Sequence, residues 1–312
     1  MNIFSTTLSQ MAFLFSLIVI GFLLAKSKVV SSDAAGILAK LENNLFIPAL
    51  VMNTFIQNFT VERLQSAWQP LVASFVVLAA AIPLALLFSK LCTKDGYLQK
   101  IYTYGLCFSN FSFMGNAVVS ALFPDIFLEY LIFTLPLWMM IYLWGAPALL
   151  IADSGKQTLK QRLKAFANPM FIAMVIGIII GLAGISLPEW TNSVLSSSAA
   201  CMSPIAMLLT GITVANINLK KAFTNGQIYL ISLIRLILFP LIFLGIFLLL
   251  PLPETIIICS ICSLAMPLGL NTIVIPSAYG KDTSAAAAMA IISHILSCIT
   301  IPLVVLLLTK LI

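Results

Sequence analysis

Charge is what this sequence is short of. Only 8% of its 312 residues are Asp, Glu, Lys or Arg, and its mean hydropathy is +1.12. A soluble domain carries roughly 25% charged residues. A fold this apolar has too little polar surface to face water. Lipid is therefore the expected solvent, and the length corresponds to about ten spans with short loops rather than to two soluble domains.

Histidine occurs once, at His294, and no HExxH sequence is present. An enzyme inside the membrane needs a nucleophile with its base, a metal cluster or paired carboxylates. The apolar stretches supply none of these, so catalysis and a bound metal are not expected. The six cysteines fit no secreted disulfide framework. Cys259 and Cys262 lie in an apolar run and read as small helix residues. The basic residues give a net charge of +6, but they are scattered singly and form no basic face, which excludes nucleic acid as partner. Residues 2–25 carry no charge and no basic lead-in, so they read as a retained first span rather than a cleaved signal.

The charges that are present cut the chain. Uncharged stretches run over 2–25, 43–61, 64–89, 101–124, 130–152, 165–188, 190–219, 255–280 and 283–309, and one more, 222–253, is interrupted only by Arg235. Most exceed the ~20 residues that cross a ~30 Å hydrocarbon core. The second is short, and its helix is expected to begin near Asp33 or Ala34, with Ser31, Ser32 or Asp33 as cap. Placing the N-terminus outside puts Lys26, Lys28, Lys40, Lys90, Lys94, Lys100, Lys156, Lys160, Arg162, Lys164, Lys220, Lys221 and Lys281 inside, against Arg63 and Lys310 outside. The positive-inside rule then gives a multi-pass protein of the cytoplasmic membrane with both termini outside.

The basic stretch 153–167 divides the chain into residues 1–152 and 168–312, five spans each. An odd number of spans per half turns the halves upside down relative to one another. Residues recur between them: Gly21 and Gly177, Pro48 and Pro204, and Gly115 and Asn271 are each 156 apart, Pro83 and Pro240 are 157 apart, and Pro147 and Pro302 are 155 apart. The reading is an all-α membrane protein of two inverted five-helix repeats, a common construction of secondary transporters.

Spans four and nine carry the residues of interest. Ser109-Asn110-Phe111-Ser112-Phe113-Met114-Gly115-Asn116 and Ala265-Met266-Pro267-Leu268-Gly269-Leu270-Asn271-Thr272 place Gly, Pro, Ser and Asn at mid-membrane depth. Proline removes a donor and glycine loosens the helix. A broken helix exposes N–H groups at one stump and carbonyls at the other, and lipid satisfies neither. The N-terminal stump can hold a carboxylate. Asn110, Ser112, Gly115, Asn116, Pro267, Asn271 and Thr272 are therefore the candidate substrate contacts, with asparagine offering both donor and acceptor. Pro83, Pro136, Pro147 and Pro240 read as simple kinks. Apart from Glu42, near the start of span two, the spans contain no Asp or Glu, which favours an anion over a cation as cargo. Arg235 lies about seven residues into its span, deep enough to suggest function in transport or in its support. His294 reads as a packed neutral side chain bonded to a nearby carbonyl, and Trp138, Tyr142 and Trp144 as packing or interface anchors.

These residues in this order resemble the auxin efflux carrier family, over essentially the whole chain. Asn44-Leu45-Phe46-Ile47-Pro48-Ala49-Leu50 is similar to its second-span Asn-x-Phe-x-Pro-Ala-Leu. Asn168-Pro169, the run Pro204 to Gly211, Arg235-Leu236 with Pro240, Asn110 to Gly115, Pro267 to Asn271 and Tyr279-Gly280 match later family positions. Ser112 and Ala117 depart from it, standing where bacterial members often have Gly and Pro. The resemblance implies a scaffold of spans 1, 2, 6 and 7, with Pro48 and Pro204 as helix-break or support residues, and a transport unit of spans 3–5 and 8–10. It also implies a substrate site where spans four and nine cross, a homodimer through the scaffold, and elevator-like transport of a small carboxylate. An anion channel and a sodium-coupled symporter of another organic solute are the alternatives. Coupling to sodium, to protons or to neither is left open, as are substrate and direction.

Overall fold

The computed structural model describes residues 3–31, 33–150, 169–215, 226–269, 271–278, 281 and 283–312. The basic linker 153–167, Ser32, Asn168, Lys220, Lys221 and Tyr279-Gly280 lie outside the described residues. The described chain is helical: α1 (Ile3–Lys26), α2 (Ala34–Asn58), α3 (Trp68–Cys92), α4 (Gly96–Cys107), α5 (Phe111–Leu122), α6 (Pro124–Leu150), α7 (Pro169–Ala183), α8 (Glu189–Ala215), α9 (Gly226–Phe247), α10 (Glu254–Ala265), α11 (Asn271–Ala278) and α12 (Ser284–Leu311). Six of these, α2, α3, α6, α8, α9 and α12, are long and apolar enough to cross a membrane. Part of α1, α5, α7 and α10 are shorter apolar helices.

Helix α2 begins at Ala34 as the sequence suggests, but Asp33 makes no side-chain cap; the Ser31 carbonyl takes the first amide instead. The prolines mostly do not break helices. Pro204 sits inside α8, which runs on without interruption, so its expected role as a helix break does not hold. Pro83 and Pro302 are likewise inside continuous helices. Pro48 and Pro240 each follow a five-residue π-helical turn, Glu42–Phe46 and Ile234–Leu238. The extra residue of a π-turn relieves the clash of the proline ring with the carbonyl four residues back.

Two packing groups result. One contains α1, α2, α7 and α8: α1 lies against α8, and α2 against both α7 and α8. Glycines let these backbones meet. A Cβ on Gly21 or Gly211 would run into the Leu208 or Ile18 carbonyl across the α1–α8 contact, and one on Gly177 would come within 2.9 Å of Phe55 across α2–α7. Gly21 and Gly177 thus do the same work in two different helix pairs. The second group contains α3 to α6 and α9 to α12, with α3 packed on α4, α6 and α10, and α12 on α9 and α10 and also on α1 of the first group. Most of the large buried side chains, including Tyr102, Tyr104, Phe108, Tyr130 and Phe239, belong to this group.

Candidate functional site

Two interruptions meet in the second group. Residues 108–110 separate α4 from α5, and residues 266–270 separate α10 from α11. The extended backbone at Met266, with ψ of 149°, is the conformation that a following proline imposes. At the crossing Ser109 and Leu268 form an antiparallel backbone bridge, and the Asn110 N–H donates to the Pro267 carbonyl at 2.7 Å. A Cβ on Gly269 would stand 3.0 Å from the Ser109 carbonyl oxygen, so a side chain there would crowd the close approach.

Backbone groups freed by the breaks must be satisfied by protein. Ser109 Oγ donates to the Ser263 carbonyl at 2.7 Å, and the Leu268 N–H donates to Ser293 Oγ at 3.1 Å. Thr272 turns its hydroxyl back to the Gly269 carbonyl at 2.6 Å. The largest share falls to Arg235. Its guanidinium is buried and donates from Nη1 to Leu106 O at 2.6 Å, from Nη2 to Ser263 O at 3.1 Å and from Nε to Met266 O at 3.2 Å. These carbonyls end α4 and α10, where helix dipoles place partial negative charge. Arg235 is therefore a shared C-terminal cap for both broken helices.

The proposed contacts fall into different places. Asn110 is buried and its amide nitrogen lies 3.1 Å from His294 Nε2. His294 Nδ1 faces the Ala290 carbonyl at 2.7 Å. A carbonyl only accepts, so Nδ1 carries the proton and Nε2 accepts from Asn110. The packed histidine facing a nearby carbonyl is as the sequence suggests, and Asn110 is a second partner that the sequence did not indicate. The break in span four comes before Ser112 and Gly115, which instead lie in a π-helical turn, Phe111–Gly115. Gly115 is there because the Tyr130 hydroxyl, which donates to Phe111 O, fills the space of a Cβ. Ser112 Oγ and Asn116 Oδ1 are buried without a hydrogen-bond partner among the described residues.

Of the seven candidates, Asn271 alone lines a polar cavity between α2, α6, α7 and α11. This space of about 330 Å³ is bounded by Asn43, Asn44 and Ile47 of α2, Pro169 and Met170 of α7, Trp138 and Tyr142 of α6, and Asn271 and Ile275 of α11. It lies between the two packing groups, and among the described residues no acidic or basic side chain lines it. A smaller void beside it shares Trp138 and Met170 and reaches Asn116. Trp138 and Tyr142 stack at 6.0 Å with an 18° interplanar angle, forming one wall rather than a membrane-interface anchor. Asn43 and Asn44 escaped the sequence argument as site residues, although two adjacent amides before Pro48 in an apolar stretch were a usable signal.

A profile of the family described as "Membrane transport protein", that of the auxin efflux carriers, matches residues 6–305. The chain belongs to the auxin efflux carrier family. It is thus a membrane transporter, and not an enzyme by family. No curated protein matches the chain. In this family member the two interrupted segments, the capping arginine and the amide-lined cavity all lie inside the matched region.

Proposed function

We propose that this auxin efflux carrier family member is a secondary carrier of a small organic anion, a carboxylate, across the cytoplasmic membrane. The observation that carries the reading is the cavity lined by both packing groups: Asn43, Asn44 and Met170 on one side, Trp138, Tyr142 and Asn271 on the other. A ligand held there touches both, so displacement of one group against the other carries it across, as an elevator does. In this reading α1, α2, α7 and α8 are the scaffold and the homodimer surface. The remaining helices move, the ten spans form inverted repeats, and both termini face outward.

The lining suits a carboxylate in three ways. The amides of Asn43, Asn44 and Asn271 bring hydrogen-bond donors, although Asn43 and Asn44 also donate to Ala39 O and Lys40 O. Asn271 is the first residue of α11, where the helix dipole is positive. Among the described residues no carboxylate lines the space to repel an anion. The stacked Trp138 and Tyr142 offer a flat apolar wall for the rest of the ligand. Thermal-shift titration of the purified carrier with a panel of small carboxylates and their neutral amides tests this. Stabilisation by a carboxylate and not by its amide, weakened in Asn271→Leu, is expected. Stabilisation by neutral solutes alone contradicts the anion reading.

A further inference from the structure

Among the described residues Arg235 is a buried cation without a carboxylate partner. Its partners are three carbonyl oxygens, at Leu106, Ser263 and Met266, and all three guanidinium nitrogens are engaged by them. The ion pair among the described residues joins Arg63 and Glu129 and does not involve Arg235. Nor is Arg235 part of the cavity lining. It is not placed to bind a substrate anion directly.

Carriers with interrupted helices commonly use carbonyls at the C-terminal ends of half-helices to coordinate a coupling sodium ion. The same kind of oxygen set is assembled here, from the ends of α4 and α10, and a covalently attached cation fills it. The guanidinium suits the place. It is planar, weakly hydrated and charged at every physiological pH, and its fork reaches several acceptors at once. Its aliphatic stem comes from the π-turn Ile234–Leu238 of α9, which turns the side chain inward.

We propose that Arg235 is a resident cation that takes the place of a coupling sodium ion at the helix crossing, so that the carrier binds its anion without an inorganic cation. The proposal rests on the carrier reading for its link to transport, but its core is a statement about the empty protein. The positive charge that steadies both carbonyl stumps is built in. Sodium has neither a free oxygen cage nor a missing charge to supply there.

The test uses the full-length purified protein at constant ionic strength with sodium, potassium or choline as the cation. Thermal midpoints of the ligand-free wild type are expected to be the same in all three, and carboxylate affinity to agree within about twofold. Arg235→Ala opens the carbonyl set. Its thermal midpoint is expected to fall in choline and to recover partly in sodium or potassium. Arg235→Lys keeps the charge but loses the three-way fork, so it retains cation independence with reduced stability. Should Arg235→Ala fail to fold, the wild-type and lysine series decide. A sodium-specific rise in the ligand-free wild-type midpoint, or sodium-dependent carboxylate binding, overturns the proposal. If no carboxylate binds under any cation, the anion reading fails while the ligand-free series still judges the resident cation.

Discussion

The amide of Asn110 and the ring of His294, 3.1 Å apart, tie the interruption between α4 and α5 to the last helix. Asn110 is at the same time joined by its N–H to the Pro267 carbonyl, and its own carbonyl accepts from Gly115 at 2.9 Å. One residue thus links three chain segments, and its role as positioner of the crossing is more directly expressed in the geometry than a role as ligand.

A double-mutant cycle with Asn110→Leu and His294→Leu is expected to show coupling of about 0.5–1.5 kcal/mol in thermal or denaturant stability, the usual range for a buried hydrogen bond. Additive losses would mean that the two side chains do not interact in the folded carrier.

Asn271→Leu keeps most of the side-chain volume and removes donor and acceptor from the cavity. Loss of a hydrogen bond to a charged ligand costs about 1.5–3 kcal/mol, or roughly ten- to hundredfold in Kd. Asn43→Leu and Asn44→Leu are expected to act in the same direction and more mildly, because each amide also serves its own helix. Asn192→Leu is the control. Asn192 sits exposed in the first turn of α8 and bonds the Leu187 carbonyl. Equal affinities for Asn192→Leu and Asn271→Leu contradict the cavity as binding site.

The α1–α8 contact gives a stability test without any ligand. A Cβ at Gly211 would meet the backbone of Ile18 and Phe22. Overpacking of this kind costs about 1–3 kcal/mol. Gly211→Ala is expected to lower the thermal midpoint, whereas Gly36→Ala, in open space, is expected to hold or raise it.

Arg235→Ala is expected to reduce flux far more than Lys94→Ala at equal membrane abundance. The arginine satisfies three carbonyls of the crossing, and Lys94 lies in the connection between α3 and α4. Flux through both variants equal to wild type removes the crossing from the mechanism.

The topology is tested by a fusion reporter that is active only outside the cytoplasm, joined after Ile312. Activity is expected there, and silence there with activity after the linker 153–167 reverses the orientation.

Much of the helical order was legible because charge is so scarce that each uncharged stretch announces an apolar helix. The interruptions were legible in kind but not in place. Gly115 and Ser112 suggested where the fourth segment breaks, yet both are explained by Tyr130 and the π-turn, and the break lies at 108–110. Its position is set by the Ser109–Leu268 bridge and the Asn110–Pro267 bond, whose partners are far apart in sequence. Pro204 shows the opposite error: a proline at a repeated position that leaves its helix intact. Arg235 was visible as an unusual charge, but its purpose was not, since Leu106 and Met266 lie 129 and 31 residues away. The cavity was the least legible feature. It is assembled from four helices; Asn43 and Asn44 drew no functional reading in the sequence, and Tyr142 read as a packing or interface anchor.

Counterflow in liposomes tests the carrier account most directly. Vesicles containing the purified protein are preloaded with an unlabelled carboxylate identified by thermal shift, and labelled carboxylate is supplied outside at low concentration. A carrier is expected to give a transient overshoot of label above its equilibrium level, with saturable initial rates, and Asn271→Leu to need about tenfold or more substrate for the same rate. Linear, unsaturated flux without overshoot, accompanied by ohmic current, would identify an anion channel and contradict the account.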